Sequence, residues 1–340
     1  MKNKFSMLTI AIAASLGLVA CGGTTESAGD NIKIGMMTDS GTIDDKSFNQ
    51  ATWEGIKRYE SENGTIVAQY IKPIGETTAD YMQAADDLIT AGNQMIIAPG
   101  FKFDEAITKL QEQYPDIKFV MIDGQPEEVA ENTIAIYFAE HEAGFLAGIT
   151  AALETKTGKV GFIGGMKSES IEKFGYGYVA GVAYANKHFG TNAEVVDYLY
   201  NGTFTDVAGG QAQAGSMYDK GIDIIFTAAG RVGSGVITEA KTRTEAGDKV
   251  YVIGVDVDQY EDGIYNQETN ESVILTSALK RVDNASYTKV DEFINGTFTG
   301  GEVITMTAEV DGVGLPETNP NLTTETQETV NELLEIGRAH

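Results

Sequence analysis

The strongest constraint on the fold is an alternation of short apolar runs with longer amphipathic segments. Apolar runs occupy residues 32–37, 65–71, 94–100, 118–124 and 133–138, and helical spacing marks 77–92, 103–114 and 140–155. The pattern restarts at 159–165 and continues through 194–200, 223–230, 251–258 and 272–280, with helical segments at 170–190, 206–219 and 233–246. Continuous apolar runs of this length suit strands buried on both faces, and a strand-then-helix order suits parallel, right-handed units. Two such series predict an α/β protein of two lobes, each a parallel sheet flanked by helices. A helix at 282–293, short strands within 300–315 and an acidic terminal helix within 317–336 follow. The chain is therefore expected to cross between lobes more than once, so that the lobes close on a ligand in the cleft between them. The expected division is residues 31–150 with about 281–298 in the first lobe, and 151–280 with about 299–340 in the second.

The helix at 140–155 is rich in Ala and Gly, which predicts close backbone packing in an interior or connecting position. Before residue 31 the sequence reads differently. Lys2 and Lys4 precede an apolar stretch ending Leu18-Val19-Ala20-Cys21-Gly22, which reads as a leader over residues 1–20. The sole cysteine follows the small-residue run as in a bacterial lipobox, so Cys21 is expected to carry lipid and to anchor the protein without spanning the membrane. Residues 21–30 are small and polar and read as a flexible tether.

A net charge of -26 argues against nucleic acid as a partner, because phosphate contacts need clustered Lys and Arg. One cysteine excludes an intramolecular disulfide, and three scattered histidines offer no metal-ligand spacing. No cofactor or metal is expected. Gly161 to Gly165 and Gly230 to Gly235 match neither a dinucleotide fingerprint nor a phosphate-binding loop, and no GxSxG occurs. The adjacent acids Asp44-Asp45, Asp86-Asp87 and Glu127-Glu128 read as turn formers or solvated faces, and catalysis has no candidate residues.

Binding does. In open parallel sheets, ligands sit outside the carboxyl ends of the strands. Residues 32–56 read as strand, polar loop and helix, which puts Asp39, Ser47, Phe48 and Asn49 at such an edge. Asp123, Phe204, Gly230, Asp256 and Lys280 stand at strand ends elsewhere. Carboxylates that accept two hydrogen bonds each, a lysine donor and aromatic rings together suit a flat ligand with polar edges and hydroxyl groups.

The loop TDSGTIDDKSFNQATWEGI, with the lipobox before it and GTFTD, AAGRVGSGV, VIGVDVDQ and LTSALKRVD after it in order, resembles the basic membrane protein family. These are substrate-binding lipoproteins, purine-nucleoside receptors of ABC importers. The resemblance covers roughly Cys21 to Leu315. It implies the periplasmic-binding-protein type I fold, a nucleoside ligand of the adenosine, guanosine or inosine class, ABC permease subunits as partners, and a lipid-anchored position on the extracytoplasmic face of the cell membrane. It also implies roles: Asp39 and Asn49 at the edge of the base, Phe48 on one face, Asp123 lining the pocket, and Gly230, Asp256 and Lys280 at the ribose. Phe204 is expected on the other face of the base, with Phe174 as its competitor. The family usually continues past its terminal helix into a further short strand, whereas this chain stops at His340. Alternatives of other classes are a type I binding protein for a sugar or signalling molecule, a nucleoside-cleaving enzyme, and a surface adhesin.

Overall fold

A computed structural model describes residues 32–338; the expected leader and tether, Cys21 among them, lie outside the described residues. The first half runs β1 (Ile32–Met37), α1 (Phe48–Asn63), β2 (Ile66–Ile71), α2 (Thr78–Thr90), β3 (Asn93–Pro99), α3 (Asp104–Gln113), β4 (Lys118–Ile122) and β5 (Thr133–Phe138). The second runs α4 (Glu140–Glu154), β6 (Lys159–Gly164), α5 (Glu169–His188), β7 (Glu194–Tyr200), α6 (Val207–Asp219), β8 (Ile224–Ala228), α7 (Arg231–Glu245) and β9 (Tyr251–Asp256). A small antiparallel pair, β10 (Ile264–Asn266) and β11 (Glu271–Ser272), precedes β12 (Ile274–Lys280). The chain ends with α8 (Val282–Ile294), β13 (Glu302–Met306), β14 (Val313–Gly314) and α9 (Thr324–Arg338).

Two sheets result. The first has the order β13-β5-β4-β3-β1-β2 and is parallel throughout. The second has the order β14-β12-β9-β8-β6-β7, with β14 alone antiparallel. The central strands β3, β4, β8 and β9 are buried almost end to end, which explains their predominantly apolar sequence: helices cover both faces. The two orders superpose as β1 on β6, β3 on β8, β4 on β9 and β5 on β12. Each sheet therefore reverses its winding at the same place, beside its first strand, and opens a crevice at the carboxyl ends there.

Local signals set the helix boundaries. Thr77 and Asp80 form a reciprocal capping box at α2, and the N–H of Gly64, in the left-handed region, closes α1 onto the Glu60 carbonyl.

Two assignments of the expected division are corrected. Helix α4, placed in the first lobe through residue 150, packs against α5, β12, β14 and α9, all of the second. The Ala/Gly pattern explains it. A β-carbon at Gly148 would lie 2.1 Å from the Tyr178 carbonyl oxygen, and one at Gly181 equally close to that of Phe145, so the two backbones touch and only glycine fits. Strand β13, placed in the second lobe with residues 299–340, instead pairs with β5 in the first sheet. It reaches that edge because α8 has already returned to the first lobe, lying on α1 where Gly55 faces the Asp283 carbonyl. The chain thus crosses between β5 and α4, between β12 and α8, and between β13 and β14. Among the described residues no helix is long and apolar enough to cross a membrane.

Candidate ligand-binding site

Between the sheets lies a cavity of about 330 Å³, bounded by the carboxyl ends of β1, β3, β4, β6, β8, β9 and β12. Asp39, Ser47, Phe48, Asn49, Asp123, Phe174, Phe204, Gly230, Asp256 and Lys280 all line it, although they are spread over 241 positions (280 − 39) of sequence.

The first wall is built on the loop into α1. The Asn49 amide donates to Asp39 Oδ1 and to Asp45 Oδ2, each at 2.8 Å, and its oxygen accepts the Asp39 N–H at 3.2 Å. Both amide donors are thereby committed to carboxylates, so Asn49 orients Asp39. Asp45 is buried, and accepts from the backbone N–H groups of Ser47, Asn49 and Gln50. It supplies the cap that Ser47 does not. The expectation that the Asp44-Asp45 pair serves only as a turn holds for exposed Asp44 and fails for Asp45, because the first-turn N–H groups of α1 converge on its carboxylate. Phe48, the first residue of α1, is half-buried against the cavity.

The second wall comes from β6, β8 and the loop after β7. The Phe204 ring lies so close over Gly165 that a β-carbon there would meet it at 2.3 Å, and the Phe204 backbone backs onto Gly230, whose φ is 56°. Phe204 remains partly exposed, whereas Phe174 is buried with its ring edge-on to Phe226 at 5.9 Å.

The walls meet at a buried ionic cluster. Asp123 and Asp256 occupy the same place in the two sheets, directly at the ends of β4 and β9, and both hold the left-handed conformation (φ 59° and 65°). That conformation strains a side-chain-bearing residue and is typical of functional positions. Ser47 donates to Asp256 Oδ2 across the lobes, and Gln259 Nε2 donates to the Lys46 carbonyl at 2.8 Å beside it. Lys280, 1% exposed, donates to Asp123 Oδ2 and to Ser170 Oγ, and lies 2.9 Å from Glu140 Oε1. Its ammonium also lies 5.2 Å from the ring centroids of Phe48 and Phe138. Asp123 Oδ1 is buried without a partner.

Sequence reading missed Asp45, Asp104, Tyr137, Glu140 and Ser170. Asp104, Tyr137 and Ser170 border the cavity and follow the same strand-end rule that found the others. Glu140 carried no local signal beyond its place directly after β5.

Burial drives the titration of these acids. It raises Asp39 and Asp45 against their hydrogen bonds, raises Asp123 against Lys280, and pushes Asp256 up to about 6 and Asp104 up to about 7. For Lys280, burial works against the charge, but Asp123, Glu140 and Asp256 outweigh it and its pKa is raised. Carboxyls with raised values bind protons more tightly folded than unfolded, so stability is highest below their ordinary value and is lost as pH rises through the folded values. The expected result is a melting temperature, without ligand, that rises on the order of 5 °C between pH 7.5 and pH 5. Asp256→Asn flattens the lower part of that curve and Asp104→Asn the part near 7. A melting temperature that falls over this interval contradicts the assignment.

With acids outnumbering cations, the cavity suits an uncharged ligand rich in hydrogen-bond donors and disfavours an anion. The model of the Bmp family, described as "ABC transporter substrate-binding protein PnrA-like", matches residues 32–336. The chain belongs to this family. It is the one implied by the DDKSFNQ-type loop. The CD4+ T-cell-stimulating antigen of Listeria innocua is 35% identical to this PnrA-like chain, over 97% of the chain and 95% of its own length. The ABC transporter nucleoside-binding protein BmpA of Lactococcus lactis subsp. cremoris is 33% identical, over 92% of the chain and 91% of its own. A solved ABC transporter system solute-binding protein from Aeropyrum pernix K1 superposes with a TM-score of 0.74 at 28% identity, covering 91% of this chain and 86% of that one. The fold is the two-lobed periplasmic-binding-protein type I fold. PnrA-like proteins are the solute-binding components of ABC transporters, not enzymes; they work on the extracytoplasmic side with a small solute as ligand and the permease as partner.

Proposed function

We propose that the cavity takes a nucleoside, purines foremost, and that lipid on Cys21 anchors the protein beside its permease. The observation that carries this reading is a cavity lined by aromatic rings from both lobes, Phe48 from the first and Phe204 from the second among them, with acids at both ends. A base is apolar on its two faces and polar at its edge, so two rings and the Asp39 carboxylate match it. Asn49 holds Asp39 in place. Ribose hydroxyls donate to Asp256 and to the unpartnered oxygen of Asp123, with Lys280 keeping Asp123 oriented and Gly230 letting the backbone approach. Phe204 is preferred over Phe174 for the second face because its ring is less deeply buried. The name of the Lactococcus relative points the same way.

The test is titration calorimetry of the purified protein with adenosine, guanosine, inosine, uridine, ribose and inosine monophosphate. Nucleosides are expected to bind in the micromolar range or tighter, with the monophosphate weaker by at least an order of magnitude, because its charge enters an acidic, buried site. Binding of ribose alone refutes the nucleoside reading in favour of a sugar receptor. Mass spectrometry of the mature N-terminus tests the lipid on Cys21: an unmodified Cys21 in membrane-isolated protein overturns the anchor.

A further inference from the structure

Glu140 is fully buried, yet it is not among the residues that border the cavity. Its Oε1 lies 2.9 Å from Lys280 Nζ, and neither carboxylate oxygen makes a directed hydrogen bond. A carboxylate withdrawn from water and held by a single ammonium is costly, and its presence calls for a reason. An acid in the first turn of a helix favours the helix dipole, but that does not require burial. Glu142 already supplies such an acid to α4 and accepts the Ala308 N–H at 2.7 Å.

The placement supplies a reason. Glu140 directly follows the crossing from β5 to α4, and Lys280 directly precedes the crossing from β12 to α8. Their ion pair ties two of the three connections between the lobes at one point. From that point Lys280 reaches Asp123 of the first sheet and Ser170 of α5 in the second. The aromatic rings of Phe48, Phe138 and Phe174 surround the same ammonium within 5.9 Å. A lysine is a point charge on a flexible stem, and several acids compete for it here, so its position depends on what holds it from behind.

We propose that Glu140 is a positioning residue: it pins the Lys280 ammonium between two interlobe crossings, so that the ligand-facing acids are presented in register and ligand contact with them favours the closed arrangement of the lobes. This rests on the reading of Asp123, Asp256 and Lys280 as the ribose end of the cavity.

The experiment is a double-mutant cycle read by calorimetry with inosine and adenosine, using the wild type, Glu140→Gln, Lys280→Met and the double variant. Glu140→Gln is nearly isosteric and is expected to weaken binding roughly tenfold or more, and to add little in the Lys280→Met background. Glu140→Asp, which shortens the reach, is expected to give an intermediate loss. Glu142→Gln removes an acid from the same turn without touching Lys280 and is expected to leave affinity unchanged. Unchanged affinity in Glu140→Gln, an equal loss in both backgrounds, or an equal loss from Glu142→Gln overturns the proposal. Amide hydrogen exchange provides a readout independent of the ligand. Residues 139–142 and 280–283 are expected to exchange faster in Glu140→Gln than in the wild type, and unchanged protection at both crossings overturns the positioning role. If the wild type binds no nucleoside, the proposed function fails, and the exchange result alone decides the role of Glu140.

Discussion

Lys280→Met is expected to lower the unfolding free energy by about 3–5 kcal/mol at pH 7.5, the usual cost of breaking a buried ion pair from one side. The reason is what the substitution leaves behind. Asp123, Glu140 and Asp256 converge on this ammonium, and the described residues place no other cation in their cluster. Methionine fills much of the volume, so little of the loss comes from packing. The loss is expected to shrink at pH 5, because Asp256 titrates near 6 and burial also raises Asp123, and their protonation removes charge that lysine no longer balances. Denaturant unfolding at the two pH values reads both features. An equal loss at pH 7.5 and pH 5 would assign the effect to packing and contradict the electrostatic account.

Phe48→Ala is expected to weaken nucleoside binding by roughly 10- to 100-fold, in line with the ~1–3 kcal/mol that a base loses with an aromatic stacking partner. Phe48 opens α1 and lines the cavity, and the cap beneath it is made by Asp45 rather than by the ring. Folding should therefore change far less than binding. Ribose serves as the control, since it has no base to stack. Calorimetry with inosine and ribose separates the outcomes, and a nucleoside affinity unchanged by Phe48→Ala would remove the ring from the site.

The two-lobed α/β architecture was legible because strands buried on both faces have to be largely apolar, and that requirement is written locally in runs such as 95–99 and 224–226. The cavity lining was legible for a related reason: the carboxyl ends of those strands can be located once the runs are found, and the DDKSFNQ-type loop marks one of them. Other features carried no local mark. Residues 302–306 suit the edge of either sheet, and only the return of α8 onto α1 delivers them to β5. Asp45 beside Asp44 looks like any acidic turn until α1 aims its N–H groups at one of the two.

The alternation of apolar runs by itself determined the fold class, the two-lobed plan and the edge at which the cavity opens, because strand burial and helix amphipathicity are properties of short windows. The tertiary structure alone decided which lobe owns α4 and β13, that Asn49 spends its amide on Asp39 and Asp45, and that one buried lysine gathers acids from both sides of the cleft. The physical reason is distance along the chain. Lys280 meets Asp123 across 157 positions and Ser47 meets Asp256 across 209, and no local propensity encodes a pairing whose energy exists only when both partners have left water together.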